Sequence, residues 1–243
     1  MTVINYAHRG ASGYRPENTM LAFEYAIELG ATGFETDVQL TADGVPVLIH
    51  DESLLRTTGV DVYVKDMSYD EIKQLDAGSW FDPQFKDATI PTLEELLQLG
   101  RKHKLIINLE LKNGLVLYPD LEEKVIELIE KYDYSDNIII SSFNHYSLKK
   151  CHTLRPLLKT GILYMEGIYE PWHYAKSIGA TKLHAPFYAA YPQWISEAKE
   201  HGCQYNVYTV NDDKQMQEFI AAGVAGIITD YPDKLAALLQ QQN

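Results

Sequence analysis

The feature that most constrains this chain is a two-part unit repeated along its whole length: a short β-branched run, then an amphipathic stretch closed by glycine or a turn. Ile4–Ala7 reads as a strand, and Thr19–Leu29 as a helix with Met20, Phe23 and Ile27 on one face. Gly30 follows the last turn, where a left-handed residue commonly ends a helix. Gly33–Val38 and Val45–Ile49 are extended runs joined by the turn Ala42-Asp43-Gly44. The capping box Thr92-Leu93-Glu94-Glu95 opens a helix that runs to Lys102. Further strands are expected at Leu105–Leu111, Asn137–Ser142, Thr160–Tyr164, Lys182–His184, Tyr205–Val210 and Gly226–Thr229. Helical patterns fall at Leu121–Lys131, Trp172–Ile178, Gln193–His201, Asp212–Ala222 and Pro232–Gln240.

Strands that alternate with helices imply parallel βαβ units. The 243 residues hold close to eight of each, and a closed eight-fold barrel typically needs about 250 residues. No GxGxxG follows the first strand, which disfavours an open dinucleotide-binding sheet. The expected fold is therefore α/β, a (β/α)8 TIM barrel forming one domain over residues 1–243. Asp51–Ile90 breaks the rhythm as an insertion after the second strand, with a helix at Ser68–Asp76 and the aromatics Trp80, Phe81 and Phe85. It either packs a small core of its own on the surface or caps the site.

Composition narrows the function. A hydrophobic content of 46% marks a globular chain, and 34 acidic against 21 basic residues give a net charge of −13. Such a field repels nucleic acids and anionic membranes, so neither a nucleic-acid partner nor stable membrane association is expected. An anionic substrate needs a local reversal of sign. Cys151 and Cys203 are far apart in the sequence and read as buried thiols. No signal-peptide pattern opens the chain and no run approaches the ~18 apolar residues of a span. A cytoplasmic location is expected.

The chemistry sits at strand ends, the catalytic face of such barrels. His8-Arg9-Gly10 ends the first strand, Glu35 and Asp37 lie on the second, and His50-Asp51 ends the adjoining run. Glu110 and Lys112 lie on the Leu105–Leu111 strand. Residues two apart on a strand share a face, so Glu35 and Asp37 point one way. If their strand neighbours that of Glu110, about 4.8 Å away, three carboxylates converge on one ion. Hard oxygen donors suit one divalent cation, Mg²⁺, Ca²⁺ or Mn²⁺, better than zinc. With that ion, Arg9 and Lys112 outweigh the carboxylates and a phosphodiester is attracted; without it the site repels one. His8 and His50 flank the cluster and supply an acid and a base near neutral pH.

These residues carry a resemblance. His8-Arg9-Gly10, Pro16-Glu17-Asn18-Thr19, Glu35-Thr36-Asp37, Pro46-Val47-Leu48-Ile49-His50-Asp51, Asn108-Leu109-Glu110-Leu111-Lys112 and Tyr208-Thr209-Val210-Asn211 form an ordered series. It resembles the glycerophosphodiester phosphodiesterase family, in its bacterial cytosolic form, over essentially the full chain. The resemblance implies a divalent ion on Glu35, Asp37 and Glu110, His8 as proton acceptor and His50 as proton donor. It also implies that Arg9 and Lys112 hold the phosphate, and that the substrate is a small glycerophosphodiester cleaved to sn-glycerol 3-phosphate and an alcohol. Glu17 is similar to a partner of Arg9 or of water at the ion, unless it serves helix entry beside Asn18. Tyr208 stands where family members more often carry Trp, which bears on headgroup preference.

Two alternatives accompany this reading: a lysophospholipase D-type enzyme with Trp80, Phe81 and Phe85 lining an apolar trough, and a non-catalytic metal- or phosphate-binding module. Ser142 lacks the G-x-S-x-G turn of a nucleophile. His184 either touches substrate or packs at a strand end. Asp230 is expected to cap the final helix. His103, His145, His152, His173 and His201 have no clustered partners in the sequence.

Overall fold

The computed structural model describes residues 3–241. Its frame is built from the β-branched runs, named here in chain order: β1 (Ile4–His8), β2 (Gly33–Leu40), β3 (Pro46–Leu48), β4 (Ile106–Leu111), β5 (Ile138–Ser142), β6 (Lys159–Leu163), β7 (Lys182–Pro186), β8 (Gln204–Tyr208) and β9 (Gly226–Thr229). All but β3 pair in parallel, in the order β1-β2-β4-β5-β6-β7-β8-β9, and β9 pairs back onto β1. The sheet is thus a closed eight-stranded parallel barrel. The extended run after Asp43 is not one of its staves: β3 lies antiparallel to β2, with Val38 opposite Leu48.

The longer helices are α1 (Met20–Glu28), α4 (Leu93–His103), α5 (Leu121–Lys131), α6 (His145–Leu154), α7 (Pro171–Ser177), α8 (Pro192–Glu200), α9 (Asp213–Ala222) and α10 (Pro232–Gln240), separated by the short turns α2 (Leu55–Thr58) and α3 (Tyr69–Ile72). Their apolar faces meet the outer strand residues in one large core that includes Phe23, Phe34, Leu96, Leu97, Val125, Leu183 and Leu235. Thr19 caps α1 by accepting from Ala22 N–H, and Thr92 and Glu95 form the reciprocal cap of α4. Helix α6 is not foreseen by hydrophobic spacing. Its sequence is mostly polar, and it is held by the buried Ser147, Leu148 and Cys151. His173 and His201, which have no clustered partners in the sequence and read as surface or packing residues, pack in an aromatic cluster with Trp172 in which the Trp172 and His201 rings stack at 5.0 Å.

Inside the barrel the lining is largely polar. A small apolar plug of Tyr6, Ile139 and Ile228 lies among Ile4, Ile106 and the ring of Tyr208. Beside it His184 is fully buried between Asn108 and Asn206, its Nε2 3.2 Å from Asn206 Nδ2. Gly161 makes this placement feasible, because a Cβ there would stand 2.5 Å from His184 Nε2. Burial, reinforced by Lys182, holds His184 neutral by bringing its pKa down to about 3.

The insertion, residues 51–90, has its own core of Leu54, Val64, Ile72, Ala77 and Ile90 against Val47 and Ile49. Trp80, Phe81 and Phe85 pack on one another. Among the described residues no helix is long and apolar enough to cross a membrane.

Candidate active site

The parallel register turns the two-residue spacing into a cluster. Asp37 on β2 lies level with Glu110 on β4, and His8 on β1 lies level with Glu35. Glu35, Asp37 and Glu110 are buried and each offers an oxygen within 4.8 Å of the others. Burial raises the proton affinity of Glu35, and the charges of Asp37 and Glu110 raise it further. For Glu110, burial and then Asp37 push the pKa up to about 7. Asp37 goes the other way, because Arg9, His50, Lys112 and the amide of Asn18 outweigh its burial. Two of three carboxylates that resist ionisation, with Glu35 Oε2 buried and without a hydrogen-bond partner among the described residues, form a donor set that fits a hard divalent cation.

Arg9 and Lys112 are held against the cluster. Lys112 Nζ is 3.1 Å from Glu110 Oε1, and Arg9 Nε is 3.4 Å from Asp37 Oδ2. Arg9 adopts a left-handed backbone (φ 54°), as do Gly10 (φ 82°) and Asn18 (φ 53°). At Gly10 a side chain is also excluded sterically, since a Cβ would lie 2.6 Å from Ala22 on α1. This tight turn brings Asn18 back to the site, where its Nδ2 donates to Asp37 Oδ2 at 3.0 Å and its Oδ1 accepts from Thr36 Oγ1 at 2.7 Å.

Each histidine has an aspartate on Nδ1. His8 Nδ1 lies 2.6 Å from Asp230 Oδ1, and His50 Nδ1 lies 2.6 Å from Asp51 Oδ1. Burial alone would raise both aspartates. Hydrogen bonds from His8, Asn211 and Ser12 bring Asp230 down to about 2, and those from Arg56 and His50 bring Asp51 to the same value. Both are therefore carboxylates, which only accept, so Nδ1 of each ring carries the proton. His8 Nε2 then faces the cluster, 3.8 Å from Glu35 Oε2. The expected capping role of Asp230 does not hold. The N-cap of α10 is Tyr231, without a side-chain cap, because the Asp230 oxygens are taken by His8, Ser12 and Asn211.

A cavity of about 280 Å³ opens onto the cluster, lined by His8, Arg9, Glu35, His50 and Glu110 together with Phe143, Leu163, Met165 and Tyr208. Tyr208 presents its ring. Its hydroxyl donates to the Tyr164 carbonyl at 2.7 Å. Glu17 does not touch the carboxylate cluster but accepts from Arg9 NH1 at 2.9 Å. Ser142 Oγ donates to the Leu111 carbonyl, and His184, fully buried, does not line the cavity. Trp80, Phe81 and Phe85 are absent from the cavity wall. Sequence reasoning assigned Asp230 to a helix cap and gave no site role to Asp51, Arg56 or Asn18; Asn18 and Asp51 stand within quoted motifs, whereas Arg56 carries no local signal.

The model of the glycerophosphoryl diester phosphodiesterase family matches residues 8–234, from His8 at the end of β1 into α10. The chain belongs to that family. As a glycerophosphoryl diester phosphodiesterase family member it is an enzyme of the phosphodiesterase class, and its relatives span its whole length. It is 45% identical over 241 residues to a glycerophosphodiester phosphodiesterase of Caldanaerobacter subterraneus subsp. tengcongensis, covering 99% of each chain. It is 42% identical to a glycerophosphodiester phosphodiesterase of Bacillus altitudinis, over 97% of this chain and 98% of that one. Among solved structures it resembles an Oleispira antarctica phosphodiesterase in complex with the product sn-glycerol-3-phosphate, with a TM-score of 0.88, 31% identity, and 97% and 96% coverage of the two chains.

Proposed function

We propose that this chain hydrolyses glycerophosphodiesters to sn-glycerol 3-phosphate and an alcohol, with one divalent cation on Glu35, Asp37 and Glu110. The observation that carries the reading is the buried three-carboxylate cluster flanked by two histidines, each fixed at Nδ1 by an ionised aspartate. The cation, when bound, offsets the carboxylate charge and acts as a Lewis acid toward the phosphoryl oxygens. Arg9 and Lys112 bind the remaining phosphate charge as it grows in the transition state. His8 takes the proton of the attacking hydroxyl on Nε2, and Asp230 stabilises the imidazolium that results. Burial lowers the proton affinity of His50, and Arg9 and Lys112 add to this against Asp37 and Asp51; the fraction protonated on both nitrogens delivers the Nε2 proton to the departing alkoxide as the P–O bond breaks. His8 then returns a proton to solvent and His50 regains one, which restores the starting state.

The test is coupled detection of glycerol 3-phosphate released from glycerophosphocholine and glycerophosphoethanolamine, with Mg²⁺, Ca²⁺, Mn²⁺ or EDTA, and His8→Ala as control. Turnover that requires an ion and is lost in the variant supports the reading. No release with any ion, from folded protein that binds metal, overturns it. Capture of glycerol 1,2-cyclic phosphate in a stopped reaction would identify the glycerol 2-hydroxyl, and not water, as the first nucleophile.

A second reading rests on the apolar wall. Phe143, Leu163 and Met165 line the same cavity as Glu35 and Glu110, and Phe143 and Met165 are also open to solvent. That wall suits an acyl chain, as in a lysophospholipase D-type reaction. Parallel turnover of lysophosphatidylcholine and glycerophosphocholine separates the two.

A further inference from the structure

Beyond Asp51, the insertion reaches the site through a side chain that does not line its cavity. Arg56 on α2 keeps 40% of its side chain exposed, yet its guanidinium is engaged on two carboxylates at once. NH1 and NH2 donate to Glu17 Oε2 and Oε1 at 2.9 and 2.8 Å, and Nε donates to Asp51 Oδ2 at 2.6 Å. The other oxygen of Asp51 is the one on His50 Nδ1, and Glu17 Oε1 is also the acceptor for Arg9. An unbroken chain of charge-assisted hydrogen bonds therefore runs Arg9–Glu17–Arg56–Asp51–His50. Its two ends are a phosphate-binding cation and a proton donor.

Isolated surface ion pairs stabilise a fold very little. A planar fork that holds two carboxylates at fixed angles does something else: it sets the direction in which each carboxylate presents its remaining oxygen. The backbone under Arg56 is itself fixed, because Leu54 and Thr57 on either side of it are buried. Leu54 belongs to the separate core of the insertion, and the Trp80 ring lies 5.7 Å from Arg56 Cζ.

We infer that Arg56 is a positioning residue: through Asp51 it aims the His50 ring, and through Glu17 it aims Arg9, so the insertion forms part of the active site. The inference rests on His50 being the proton donor, and the experiment is chosen to separate the two claims. Two diesters of glycerol 3-phosphate are compared, one releasing choline, a strongly basic alkoxide that needs a proton, and one releasing p-nitrophenolate, which leaves without one. A misaimed donor slows the first far more than the second, and displacement by about 1 Å can cost ~10²-fold. Arg56→Gln is expected to lower kcat on the choline ester by ~10–100-fold and to raise the p-nitrophenyl-to-choline rate ratio at least ~10-fold. Asp51→Asn should reproduce that ratio. Arg56→Lys, which keeps the charge but not the fork, should fall between Arg56→Gln and the parent. Loss shared by both esters, seen as a rise in KM, reports the Arg9 arm. If His50→Ala shifts the ratio and neither Arg56 variant does, the positioning role is refuted while the donor assignment stands. If His50→Ala slows both esters equally, the donor assignment falls and the inference with it. Melting curves verify folding, and should Arg56→Gln fail to fold, the comparison rests on Arg56→Lys.

Discussion

Replacing Asp230 by Asn tests whether Asp230 prepares His8 as the proposed proton acceptor. Asp230 Oδ1 accepts from His8 Nδ1 and Ser12 Oγ, and its Oδ2 accepts from Asn211 Nδ2 at 2.6 Å. An asparagine satisfies that environment in only two ways. With its oxygen toward His8, its amide faces the Asn211 amide, donor against donor. Turning Asn211 over relieves the conflict but gives up the bonds its Oδ1 accepts from Thr229 Oγ1 at 3.1 Å and from the backbone N–H of residue 230 at 3.0 Å. Two neutral hydrogen bonds are worth about 2 kcal/mol. With its amide toward His8, those bonds survive, but Nδ1 becomes the acceptor and the proton moves to Nε2, where it blocks the base. The second arrangement is favoured, which leaves ~3% of molecules with a competent ring. Loss of the carboxylate's support for the imidazolium adds about 1 kcal/mol, the difference between charge-assisted and neutral bonds. The total is about 3 kcal/mol, or roughly two orders of magnitude in kcat with KM nearly unchanged. Steady-state release of glycerol 3-phosphate by the folded variant measures this. A loss of less than about tenfold would refute the tautomer argument.

Three other outcomes are expected. In EDTA the fold should weaken as pH rises from about 4.5 to about 7, by on the order of 3 kcal/mol, because Glu110 has a higher proton affinity in the folded chain than the ordinary 4.5. Melting temperatures of the parent and Glu110→Gln across that window measure it, and parallel curves would contradict it. Gly161→Ala should destabilise by about 1–3 kcal/mol, since the new methyl would lie 2.5 Å from His184 Nε2, and the melting temperature should fall by roughly 2–4 °C per kcal/mol. A variant melting with the parent would show that the barrel interior yields more than its packing indicates. Cys151 and Cys203 are buried and their thiols are raised by that burial, Cys151 to about 12. Native protein is expected to resist iodoacetamide and both thiols to react once it is unfolded, so rapid labelling of the native chain would disprove their burial.

Much of this protein is written in local pattern. Runs such as Ile138–Ser142 and Gly226–Thr229 are mostly β-branched and buried on both faces because staves of a parallel barrel are covered inside and out, and such runs can be read without a structure. The spacing of Glu35 and Asp37 fixes a shared face because the side-chain period of a strand is two. Helix α6 escaped that logic. Its stability comes from docking a few small side chains onto the barrel, and a stripe of three buried residues among polar ones has no distinctive period. The strand β3 escaped it differently: periodicity says that a segment is extended, not which neighbour it pairs with.

What the sequence determined by itself is the set of parts: nine extended runs alternating with helices, the carboxylates on two of them, and the histidines at the ends of their runs. The register that sets Asp37 beside Glu110, the pairing of His8 with an aspartate 222 residues away, and the joining of Glu17 to Asp51 through Arg56 were decided only by the closed barrel and the insertion packed on it. The reason is physical. Local pattern reflects backbone geometry, which depends on residues a few positions apart. A hydrogen bond between side chains from distant segments depends on how the chain closes, and no short stretch of sequence contains that closure.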